Sequence, residues 1–123
     1  MGADLYINGY EVGKMNTDNY FRDSYNGSNV LWTLNLSWWN DVTPMLKNGE
    51  LKGKNLIKFR DMVVNAKQVE ITEEYLKEKF CSVSESGEDS IENWEKYFTT
   101  KRQELIEFLN KAIELKQPID CSL

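Results

Sequence analysis

The sequence predicts a helix-rich α+β fold: an N-terminal β-hairpin or small sheet packed on four to five helices, the last of them long. Three observations carry that reading. Residues 3–7 alternate as a strand does, residues 91–115 keep apolar side chains at helical spacing, and a hydrophobic fraction of 41% with 12% aromatics supplies one core. At 123 residues the chain has room for a single domain spanning 1–123.

In Ala3-Asp4-Leu5-Tyr6-Ile7, Leu5 and Ile7 share one face and Asp4 and Tyr6 the other. Asn8-Gly9 separates this run from Tyr10-Glu11-Val12, and Asn-Gly favours a type I′ hairpin because both turn residues need positive φ. Residues 13–18 read as a loop. Residues 20–39 hold six of the fifteen aromatics, with Arg22, Asp23, Asn26 and Asn29 threaded among them. Within them Ser28 is placed to cap a helix carrying Val30, Leu31 and Leu34 and continuing to Trp38. Thr43-Pro44 is a cap followed by a first-turn proline, opening a short turn that Asn48-Gly49 ends.

Residues 54–66 predict a helix with Leu56, Phe59, Met62 and Val63 on one stripe. Thr72 starts another, with Glu73 and Glu74 near its positive end. Residues 82–90 are polar and small and read as a mobile loop. The final helix spans about 91–115, with Ile91, Trp94, Phe98, Leu105, Leu109 and Ala112 on one side. Pro118 stops it and the tail returns extended, as a further strand of the sheet. The same helix offers a seam for a homodimer or higher oligomer, a common way for a small chain to complete its core.

The net charge of −5 divides as −2 over residues 1–40, +1 over 41–80 and −4 over 81–123. No basic footprint for phosphate backbones exists, which excludes duplex nucleic acid as a partner. The absence of histidine excludes histidine-based catalytic triads and His-ligated zinc. Cys81 and Cys121 are too few for a disulfide framework, and Cys121 has no base to make it a nucleophile. No apolar run approaches a membrane span and residues 1–15 lack a signal-peptide pattern. The expectation is therefore a cytoplasmic protein with reduced thiols and no membrane partner.

Paired carboxylates or a carboxylate-held magnesium ion would draw on Asp4, Glu11, Asp23 and Asp41, but no D-x-D or E-x-x-E pattern joins them. No catalytic residue, metal ligand set or cofactor is assigned. The aromatic-polar block is the candidate site: π faces, amides that read polar edges, and an arginine fork that grips anions. Its candidate ligand-binding residues are Asp4, Tyr6, Tyr20, Arg22, Asp23, Tyr25, Asn26, Asn29, Trp38 and Trp39. Each has a plainer reading. Tryptophans fill cores, asparagines serve turns, Asp4 is a solvent-facing acid, and Arg22 and Asp23 form structural ion pairs.

Three blocks together, Met1-Gly2-Ala3-Asp4-Leu5-Tyr6-Ile7, YFRDSYNGSNVLWTLNLSWW over residues 20–39 and KRQELIEFLNKAIELKQPIDCSL over 101–123, resemble a group of small uncharacterised bacterial and phage proteins. The resemblance implies no activity. Its phage association implies a counter-defence role, in the cytoplasm of a bacterium or infected host cell. The resulting expectation is a non-catalytic binding protein that sequesters a small nucleotide-like or anionic molecule in an aromatic/Arg pocket. The alternative is an inhibitor that binds a host protein through an exposed Trp/Arg surface; a carboxylate- or metal-dependent hydrolase ranks last.

Overall fold

A computed structural model describes residues 2–7, 20–24, 29–79 and 91–123. Four strands form one antiparallel sheet in the order β2-β1-β4-β3: β1 is Gly2–Ile7, β2 Tyr20–Ser24, β3 Glu50–Leu51 and β4 Ile119–Ser122. The C-terminal tail is thus a central strand, pairing with β1 on one side and β3 on the other. The expected strand at residues 10–12, with its Asn8-Gly9 turn, and the loop at 82–90 lie outside the described residues.

Strand alternation sorts the sheet into two faces. Ala3, Leu5, Ile7, Phe21, Leu51 and Ile119 point inward and are buried. Helix α3 (Ile91–Leu115) packs on that face against β2 and α1 (Gly53–Asn65) packs on α3, while α2 (Glu73–Lys79) follows α1 in the chain. Phe21 meets Phe108 of α3 at 6.0 Å between ring centroids. Phe59, Val63, Phe98, Leu105, Leu109 and Ala112 complete the core without measurable exposure, each large side chain adding roughly 1.5–3 kcal/mol. The inward stripe of α3 is therefore spent within the chain. Its first-turn residue Ile91, expected on that stripe, stays exposed.

Arg102 of α3 locks the two main helices together. Its Nη2 donates to the carbonyls of Val63, Val64 and Ala66, the last turn of α1 and its exit. Those carbonyls have no intrahelical partner, and a cation is favourable at a helix C-terminus. Thr72 accepts the Tyr75 amide and starts α2 as expected.

The predicted helix continuing to Trp38 is corrected. Leu31–Leu34 form a short 3₁₀ turn in which Asn29 Oδ1 accepts the Trp32 amide. Asn35 then adopts the left-handed conformation at φ 57°, and the Leu36 amide reaches back to the Leu31 carbonyl at 2.9 Å, closing the helix. Ser37 opens a separate π-helix, Trp38–Val42: its Oγ accepts the Asn40 amide while Asp41 accepts the Ser37 amide. Thr43–Met45 is the short 3₁₀ turn with its early proline. Asn48-Gly49 does more than end that turn. Both residues have positive φ, and Lys47 and Glu50 exchange backbone hydrogen bonds, so this is a two-residue hairpin turn.

Candidate functional site

The alternation that buries Leu5 and Phe21 presents their neighbours on the other side of the sheet, which no described helix covers. Register defines two cross-strand rows there. One runs Tyr20, Tyr6, Asp120, Glu50; the other runs Arg22, Asp4, Ser122. Adjacent positions in a row lie across strands about 4.8 Å apart, which makes their side chains neighbours.

Asp4 is the hub of the second row. The Tyr20 hydroxyl donates to its Oδ1 at 2.5 Å, and Arg22 Nε lies 3.8 Å from the same oxygen. Tyr6 and Tyr20 stack with ring centroids 4.9 Å apart and planes 26° from parallel. Partial burial, then the hydrogen bond and charge of Asp4, push the Tyr20 phenol above its ordinary value. The phenol therefore stays a donor across the neutral range. The group remains accessible: Tyr6 is 37% exposed and the Arg22 side chain 56%.

Arg22 and Asp23, adjacent in β2, point to opposite faces and act separately. Asp23 is 1% exposed. Its carboxylate accepts from the Trp38 indole Nε1 at 2.7 Å, from the Val30 amide at 3.0 and 3.1 Å, and from the Ser24 amide at 3.0 Å. Burial pushes its pKa up, against the pull of those donors. Trp38 packs its ring on Phe59 at 5.7 Å. Asp23, Asn29 and Trp38 are thus interior residues joining β2 to the turns that follow it, and they do not join the surface group. Trp39, next to buried Trp38, is 58% exposed on the π-helix. Tyr25 and Asn26 lie outside the described residues.

Asp120, Ser122 and Glu50 belong to this face and were missed as site residues. The signal was available, since an extended tail beside residues 3–7 puts Asp120 on the same side as Tyr6. Among the described residues no three His, Cys, Asp or Glu side chains converge as a metal site, and no helix is long and apolar enough to cross a membrane. Burial pushes the Cys121 thiol up to about 12, leaving it protonated and a poor nucleophile. An open groove of about 540 Å³ lies elsewhere, along Lys54, Ile57, Lys58, Asp61, Met62 and Asn65 of α1. The chain matches no protein-family model, no curated protein and no solved structure.

Proposed function

We propose that this protein acts by binding and not by catalysis, using the open face of the sheet to hold a protein partner, as an inhibitor would. One observation carries the reading: exposed Tyr6 and Arg22, with half-buried Tyr20 and Asp4 between them, lie on a sheet face that no described helix covers and whose opposite face holds the core. Tyrosine and arginine are the residue types that dominate interface energies. An open sheet face leaves them accessible to another protein's surface, whereas a small ligand is normally enclosed on most of its area. A counter-defence role in a phage or bacterial setting fits such an inhibitor. Sequestration of a nucleotide-like molecule is the competing use of Arg22, whose remaining guanidinium donors have no protein partner among the described residues.

The test places a photo-reactive amino acid at Tyr6 and, as a control, at exposed Glu95 of α3, in cells that make the protein. The expected result is one polypeptide adduct from position 6 and none from position 95. Equal labelling from both positions, or a small molecule that co-purifies in native mass spectrometry and is lost in Arg22→Ala, overturns it.

A further inference from the structure

Resting on that reading, we infer that the partner presents an arginine side chain to this face, seated over Tyr6 between Asp120 and Glu50. The charges on the face are unevenly satisfied. Asp4 is matched by the Tyr20 hydroxyl and Arg22, and Glu50 by Lys52 at 3.9 Å. The Asp120 side chain is exposed and has no hydrogen bond or ion pair among the described residues. Register sets it directly between Tyr6 and Glu50.

Like charges directly opposite on adjacent strands destabilise a sheet, so the Asp120–Glu50 pairing is an unfavourable local choice that a cation would relieve. A guanidinium suits the place better than an ammonium: its planar fork meets carboxylates while its face stacks on an aromatic ring. An anionic occupant would meet three carboxylates, with the two local cations already beside them. Three strands and four or so residues cover roughly 150–200 Å² at ordinary strand spacings, well short of the ~800 Å² per partner of a stable interface with any polypeptide. The face is an anchor point within a larger contact.

The test titrates the full isotope-labelled chain with short synthetic peptides that are identical except for carrying arginine, glutamate or glutamine. The arginine peptide is expected to shift the amide signals of Tyr6, Asp120 and Glu50, with affinity falling as salt rises. Asp120→Asn and Tyr6→Leu should each weaken it about two- to five-fold. If the glutamate peptide moves the same signals equally well, the cationic preference is overturned while the face remains a binding surface. If the arginine peptide moves signals elsewhere or none at all, the assignment of arginine to this face is overturned, whatever the cross-linking at position 6 shows.

Discussion

Replacing Asp23 should reveal how much of the N-terminal half hangs on one carboxylate. In Asp23→Ala the Trp38 indole and the Val30 amide, both buried, lose their acceptor, while the half-buried Ser24 amide can turn to water. Each buried orphan costs about 1–3 kcal/mol, so the variant should lose about 4 kcal/mol. Against a total stability on the order of 5–15 kcal/mol, that is a large fraction. For a chain of this size it lowers Tm by roughly 15 °C. Asp23→Asn keeps the volume and one acceptor oxygen but turns an amide donor toward another donor, and should lose about 2 kcal/mol.

The assay is urea unfolding of Asp23→Asn, Trp38→Phe and the double variant. Donor and acceptor act as a unit, so the double variant should recover about 1–3 kcal/mol relative to the sum of the singles. The pH dependence has a definite sign. Burial raises the folded-state pKa of Asp23 above its ordinary 3.8. The stability it contributes is therefore fully present below that value and lost as pH rises through the raised one. The gap between wild type and Asp23→Asn should be widest in acid and narrow toward neutrality. Additive singles, or a gap that widens with pH, would refute the argument that this carboxylate is a desolvated hub.

Four further outcomes follow from the same contacts. Arg102→Met strips the carbonyls of Val63, Val64 and Ala66 of their charged donor and should cost about 1.5–3 kcal/mol in denaturant melts. Tyr75→Phe should be neutral or stabilising by about 1 kcal/mol, because its hydroxyl is buried without a partner among the described residues; it should also remove a phenol titrating at about 12 from the ultraviolet titration. Gly49→Ala forces a Cβ into φ 77° and should cost about 1 kcal/mol by thermal melt. Tyr6→Ala and Arg22→Ala should each change stability by less than about 1 kcal/mol, since both side chains are substantially exposed. A collapse of either would make the open face architecture.

What could be read in advance depended on the range over which a signal acts. The long C-terminal helix, expected at about 91–115 and described as Ile91–Leu115, was legible because its apolar period persists and Pro118 stops it. The helix over 54–66 and the Thr72 cap were equally local. Residues 20–24 gave no such signal. Tyr-Phe-Arg-Asp-Ser has one clearly apolar inward residue, and its second inward residue is a carboxylate that only long-range donors make tolerable. A period-2 reading fails when a buried acid occupies a core position. The helix projected through Trp38 failed for a local reason: the Asn29 side chain accepts the Trp32 amide at the start of a single turn, and Asn35 takes the left-handed conformation that closes it.

The same buried acid explains how the aromatic block came to be divided. A strand must place Arg22 and Asp23 on opposite sides, so one reaches Asp4 in the open while the other enters the core and takes Trp38 with it. Trp38 then fixes the start of the π-helix, which leaves the adjacent Trp39 outside. Composition alone could not make this division, because rings and amides look alike whether they hold a fold or a partner. Strand parity makes it. Tyr6 and Tyr20 stack on the outer face, Tyr6 exposed and Tyr20 half-buried, beside a carboxylate, Asp120, with no side-chain partner among the described residues, and the core on the opposite face uses neither ring.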